Sequence, residues 1–367
     1  MTGLQDQGAI PDKPRRIVGK SFRRRKIGSL ALAQVCFTDC IFTDLEIGDL
    51  TAQGLHFERC QFRNVRFLGG RLDVCTLQQC QVDNFSAQDF SMFNFSCLES
   101  TWREIRLQEC LIERWMMSGC RLEQAQWQNV RISYWTAQNT PVDGLTMTDG
   151  EMQDGNWHGC VLRRIDWKNT SLIRQVMGSC ILEECRYKDN ACDILVWSSC
   201  QLRGLDLRNL NLANAGFQNS RLQECRFEKC SLEAAQFNGA DILRCDFSQA
   251  NLSNAQFTDA TLTGCGFTSA RLTRASLLRA KLVKCSLVRA DLSHADMRYS
   301  DLKTTLLQSA ITDKTRLHGA QLQILDCALQ TPEPLMGQID NWYQHHQPGP
   351  VEPAQFPPLP SGASRYV

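Results

Sequence analysis

The chain of 367 residues carries 40 Lys and Arg against 39 Asp and Glu, a formal net charge of +1. That balance supplies no global field for steering onto nucleic acid or an anionic membrane surface. With 43% hydrophobic and 22% charged residues the composition is that of a folded chain, and no apolar run approaches the roughly 20 residues that a membrane-spanning helix needs.

Residues 1–21 are expected to form a basic, flexible arm. Arg15, Arg16, Arg23, Arg24, Arg25 and Lys26 belong to a positive run over 13–26. Asp39, Asp44, Glu46, Asp49 and Glu58 follow before the next basic residue, Arg59. Two readings fit: a solvated arm, or an electrostatic clip between the two charge blocks. The run lacks the apolar core of a signal peptide, so the protein is expected to be cytoplasmic.

From Phe22 a five-residue frame takes over. Stepping by five through Ile27, Leu32, Phe37 and Phe42 reaches Leu322 after 61 positions, and only Thr312 is not apolar. The slot two residues earlier, from Leu30 to Ala320, holds smaller residues and no charge. Two residues in five therefore face a dry interior, a period that neither a helix nor a flat strand has. The chain must turn once per repeat.

The cysteines set the size of one coil. Cys40, Cys60, Cys80, Cys120, Cys160, Cys180 and Cys200 lie at multiples of twenty, and Cys185, Cys225, Cys245, Cys265 and Cys285 form a second series with that spacing. Twenty residues are four pentapeptides, so the cross-section is a square. About 15 coils at ~4.8 Å per rung give a rod of roughly 70 Å, built like other solenoids from nearest-neighbour contacts.

Between 85 and 200 the inward slots hold Trp102, Trp115, Trp127, Trp135, Trp157, Trp167 and Trp197. Gly150 and Gly155 occupy small slots nearby, as expected if volume is conserved. This section is expected to bulge while keeping its frame. Of the 19 cysteines, 15 fall in the small slot, Cys97, Cys192 and Cys327 in the large one, and Cys36 faces outward. They are expected to act as small buried hydrophobes. Zinc would need paired spacings such as C-x-x-C, which are absent. With no nucleophile elbow, no phosphate-cradling loop and an interior expected to leave no cavity, no catalytic, cofactor or metal site is expected and the protein is read as a non-enzyme.

The run ADLSHADMRYSDL at 290–302 resembles the A(D/N)LXX motif of the pentapeptide repeat family. The resemblance covers 22–322 and is strongest from about 200 to 310. It implies an all-β fold, a right-handed quadrilateral parallel β-helix, over residues 22–327.

Two surface features stand out on this rod. Arg271, Arg274, Arg279, Lys281, Lys284 and Arg289 form a basic band around one coil, with no acid among them. Pro141, Val161 and Ile181 share an outward slot on successive rungs and form a small apolar stripe. Past the rod, Thr331 and Pro332 suit a helix start, and Leu335, Met336, Ile339, Trp342 and Tyr343 recur at helical spacing. Residues 328–346 are expected to be an amphipathic capping helix and 347–367 a disordered, proline-rich tail, with QFPPLP at 355–360 as an extended docking peptide.

The leading functional expectation is a scaffold for a protein partner, since solenoids work this way. Resemblance to family members that stand beside bacterial contractile (type VI) secretion genes implies an adaptor role. The family's gyrase-protecting members mimic duplex DNA, which carries about one charge per 1.7 Å of axis. Residues 27–327 hold 31 basic and 34 acidic residues, so gyrase mimicry ranks second. Nucleic-acid binding through the basic arm ranks third.

Overall fold

Residues whose inward slots recur every five positions can bury them only by coiling, and the backbone then pairs with itself one coil away. The computed structural model, which describes residues 14–322, shows this pairing throughout. Strands β1 (Arg15–Val18), β2 (Ser21–Thr38), β3 (Ile41–Glu58), β4 (Gln61–Gln78) and β5 (Gln81–Leu98) open a sheet of 24 parallel strands. Each residue faces the one twenty positions on, as in Ser21↔Ile41, Gln61↔Gln81 and Gln201↔Arg221. Among the described residues there is no helix.

The rod begins earlier than the sequence frame suggests. Arg15–Val18 pairs with Val35–Thr38, so residues 15–18 belong to the first coil and not to an arm ending at 21. The reason is Ile17, which extends the large-slot frame one step upstream of Phe22 and packs against the core. The expected capping helix with Leu335, Met336, Ile339, Trp342 and Tyr343, the tail, and Cys327 lie outside the described residues.

Each repeat turns at the residue just before its small slot. Every non-glycine residue with positive φ occupies that position, for example Asn214 and Asn254 at 61°. From Leu207 onward most corners are closed by a hydrogen bond across three residues: Ala215 N–H donates to Leu212 O at 3.1 Å and Ala235 N–H to Leu232 O at 3.1 Å. Positive φ at the third residue makes these type II turns. The corners ending at Cys225, Cys245, Cys265 and Cys285 have no such bond.

There the thiol takes its place. Cys225 Sγ donates to Gln223 O and Leu202 O at 3.5 Å, while its own N–H donates to Cys245 Sγ at 3.4 Å. The other cysteine column works alike, and hydroxyls interrupt it without breaking it. Cys80 N–H donates to Ser100 Oγ at 3.0 Å, and Cys120 N–H to Thr140 Oγ1 at 3.3 Å. The view of these cysteines as small hydrophobes is therefore incomplete. They also satisfy backbone groups at corners too open to satisfy themselves.

Of the 18 described cysteines, only Cys36 and Cys192 are not fully buried. Burial pushes the thiols of Cys185, Cys192 and Cys230 up to about 12, and the thiolate is the reactive form. A small aromatic disulfide reagent at neutral pH should therefore modify Cys36 first, with nearly all 19 thiols reacting only after denaturation. Rapid modification of several thiols in native protein would contradict this burial.

The interior has three sections. Residues 22–62 stack phenylalanines on successive rungs, Phe22–Phe42 at 5.0 Å and Phe42–Phe62 at 4.8 Å. Residues 102–157 carry a continuous indole column: Trp102–Trp115 at 6.0 Å, Trp115–Trp135 at 4.8 Å and Trp135–Trp157 at 5.2 Å. Residues 217–267 return to stacked phenylalanines at 4.6–4.9 Å.

The frame crosses the middle section unbroken. A Cβ on Gly155 would collide with the Gln175 side chain, whose Nε2 donates to Met152 O at 2.9 Å and whose Oε1 accepts from Trp157 Nε1 at 3.4 Å. A Cβ on Gly150 would meet Met147 and Val130 O. The two glycines thus give up their volume to Met147 and Gln175. The expectation of a fully packed interior fails in the first coils, where a void of about 140 Å³ lies between Phe22 and Trp102.

Candidate protein-binding surface

Outward side chains fall into columns, because residues twenty apart sit one above another at about 4.8 Å. Charge is arranged within these columns. Arg163 pairs with Glu183 at 2.7 Å, Arg174 with Asp154 at 2.6 Å and Arg279 with Asp259 at 2.7 Å, each across one rung. Arg103 lies between Asp83 at 4.0 Å and Glu123 at 3.0 Å. Hydrogen bonds from Arg174 and Arg279 hold Asp154 and Asp259 below the usual carboxylate range. Each exposed pair stabilises the rod little, but together they cancel field along the faces.

The sequence-predicted residues are distributed as follows. Arg15 and Arg16 lie in β1, and Arg23, Arg24, Arg25 and Lys26 in β2. Arg23 donates to Ser21, Lys26 lies 3.3 Å from Glu46 and Arg24 4.0 Å from Asp44, so the basic and acidic blocks meet one rung apart. Arg25 has no ion-pair partner among the described residues.

The basic band does not converge on one patch. Arg274, Arg279, Lys284 and Arg289 occupy successive left-handed corners five residues apart, so they point off four different corners of the square. Arg279 is held by Asp259, while Arg271 and Lys281 sit in register with Asp291 and Asp301. Val161 and Ile181 stack in register, and Pro141 occupies the same column with its carbonyl accepting from Leu122 N–H. All three are half-buried.

A different corner gathers exposed apolar side chains. Val74, Tyr134 and Ile194 share one column of left-handed corners, with φ of 51°, 56° and 51°. Leu111, Met116 and Val176 flank it on the adjoining faces, and all six are exposed. They account for six of the ten exposed large hydrophobics among the described residues. The set spans six rungs, about 29 Å of the rod. Arg114 stacks over Tyr134 at 5.9 Å, and Arg71 over the half-buried Phe93 at 4.2 Å on the flanking face.

Two features single this corner out. Tyr and Arg are the side chains enriched where protein interfaces concentrate their energy. A β-branched residue at φ near 50° is strained, yet Val74 and Ile194 both adopt it at solvent-exposed positions. Sequence reasoning missed the corner because the stripe it chose, Pro141–Val161–Ile181, lies in another column, on a face that does not adjoin this corner. The twenty-residue spacing that aligned the cysteines also aligns Val74, Tyr134 and Ile194. Among the described residues, no group of three or more His, Cys, Asp or Glu is arranged to hold a metal ion, and no helix is long and apolar enough to cross a membrane.

Comparison with known proteins bears on the repeat itself. Residues 220–280 match the family model described as a pentapeptide repeat region, and residues 198–233, 270–308 and 285–323 match the pentapeptide repeats (8 copies) model. No curated protein matches in sequence. A pentapeptide repeat protein of the Arabidopsis thaliana thylakoid lumen is 26% identical at a TM-score of 0.24, over 24% of this chain. This chain spans 63% of that protein's length. QnrB1, a plasmid-mediated fluoroquinolone resistance protein, is 16% identical at a TM-score of 0.32, over 58% of this chain and 91% of its own. HetL of the cyanobacterium Nostoc, involved in heterocyst differentiation regulation, is 16% identical at a TM-score of 0.21, over 67% of this chain and 91% of its own. Residues 198–323 thus carry the repeats of the pentapeptide repeat family, and the same five-residue coil is described as far back as the first strand.

Proposed function

We propose that the rod is a non-enzymatic scaffold that binds a protein partner along the corner bearing Val74, Tyr134 and Ile194. The observation that carries this reading is the apolar cluster held partly by strained backbone. Strain at an exposed position persists only where the surrounding structure imposes it, and such positions gather at binding sites. The narrower form, an adaptor in a bacterial contractile secretion apparatus, draws on the family resemblance. It requires that the captured partner be a component of such an apparatus.

The strain provides a test in which stability and binding move in opposite directions. Asn tolerates the left-handed region that Val and Ile resist. Val74→Asn and Ile194→Asn should each stabilise the rod by about 1 kcal/mol in chemical denaturation, while capture of partners from a lysate of the native host falls. Unchanged capture by the double variant would remove this corner from the interface.

Duplex mimicry is disfavoured by the ion-pair columns. Acids that would imitate phosphates at ~1.7 Å of axis per charge are instead joined to arginines one rung away, as in Asp154–Arg174 and Asp259–Arg279. Purified protein should accordingly leave gyrase supercoiling unchanged at micromolar concentration, and inhibition there would reinstate the mimic. Binding of nucleic acid through the basic residues is disfavoured likewise, since Lys26 and Arg279 are already paired.

A further inference from the structure

The first coils are built differently from the rest of the rod. Their small slots hold Leu30, Val35, Leu45, Leu50, Leu55 and Val65, where the C-terminal coils hold mainly Ala and Cys. The strands β2 to β5 each run 18 residues through several corners. Before Leu207, none of the corners that lie between strands is closed by the three-residue hydrogen bond. Large side chains and open corners hold the walls apart. Ala52 and Ala87 are smaller than their neighbours in the same inward columns, and at Gly70 the Leu50 backbone fills the space a side chain would take.

What remains is an apolar void of about 140 Å³. Its lining runs from Phe22 through Phe42, Leu50 and Phe62 to Trp102, four rungs away. Beyond Trp102, the buried Trp115 and Trp127 fill the axis. At the opposite end Phe22, Ile27, Leu30 and Leu32 are only partly buried, which makes that end the mouth.

Arg25 lines the same void. It heads an inward column, in register with Leu45, then Val65, then Phe85. Its neighbours Arg24 and Lys26 approach Asp44 and Glu46, whereas Arg25 has no ion-pair partner among the described residues. An uncommitted guanidinium thus stands at the rim of a lumen lined, apart from the Cys75 thiol, by apolar and aromatic side chains.

We infer that this lumen binds a medium-chain alkyl carboxylate, chain inward and carboxylate on Arg25. Apolar cavities of this size stay dry and take up apolar molecules, and a guanidinium pairs with a carboxylate through two parallel hydrogen bonds. At ~30 Å³ per group the lumen has room for roughly five methylenes, so the acid that fills it is near octanoate, with its first carbons at the rim.

Calorimetric titration of the full-length protein with the saturated acids from butanoate to dodecanoate tests the inference. Affinity should rise roughly fourfold per added methylene, the gain for burying one such group, and level off near octanoate. Arg25→Glu, an exposed change, should weaken octanoate by roughly three- to tenfold and leave 1-octanol unchanged. Leu50→Phe, which places a larger side chain in the void, should weaken both ligands. No heat of binding from octanoate or octanol at millimolar concentration would overturn the inference. So would affinity independent of chain length, or equal loss of octanol and octanoate in Arg25→Glu.

Discussion

Leu232→Asp should abolish the cooperative melting of its part of the rod or lower its midpoint severely, while Glu233→Ala should leave it within about 0.5 kcal/mol. The two residues are adjacent in the chain, but Leu232 is fully buried and Glu233 exposed. Leu212 and Leu252 occupy the same column one rung below and above, so a carboxylate at 232 would meet only hydrocarbon. An unpaired buried charge costs several kcal/mol, or the group takes up a proton and leaves its polar atoms unsatisfied. The main chain adds to the cost, since Leu232 N–H donates to Asn251 O at 2.7 Å and its carbonyl accepts from Ala235 N–H at 3.1 Å. Any movement that exposes the aspartate breaks both. Because each coil touches only its neighbours, the loss should centre on residues 212–252 in hydrogen exchange. Equal melting temperatures for the two variants would overturn the inward and outward assignment.

That assignment was legible from the sequence because it rests on an unbroken arithmetic. The frame that runs through Phe22, Leu232 and Leu322 says which side chains are inside, and the cysteine spacing says which lie above which. It does not say how much space the inward columns leave. The void below Phe22 lies among Leu and Val in small slots, a sum over four walls that no single column displays. The frame also places the corner residue without revealing its backbone. The left-handed position accepts Asn254, Arg274, Tyr134 and Ile194 alike, so composition there carries little signal. The start of the rod was misjudged because charge around Ile17 outweighed one apolar residue in the correct slot. The thiol ladder was hidden for another reason. Cysteine was read by its volume, whereas the open corners at Cys225 and Cys245 call on its hydrogen-bonding capacity.

Trp135→Ala should destabilise the rod by about 3–5 kcal/mol, the range for emptying an aromatic core position. Trp135 is fully buried and packs against Trp115 at 4.8 Å, Trp157 at 5.2 Å and Trp127 at 5.9 Å. It occupies a small slot, and Ala fills that slot without strain at Ala215 and Ala235. The backbone thus has no objection to the substitution, and the cost is that of the cavity. Collapse is resisted on every side by rigid indoles and by pairing of the neighbouring residues Trp115↔Trp135 and Thr136↔Asn156. Trp135→Phe should cost much less. It keeps an aromatic ring in the column, and the Trp135 indole N–H has no hydrogen-bond partner to lose. The comparison separates volume from polarity. Urea denaturation should show the midpoint falling in the order wild type, Phe, Ala, with the slope unchanged if unfolding stays cooperative. A Trp135→Ala protein as stable as the wild type would mean that the indole column is not what fills the middle of the rod.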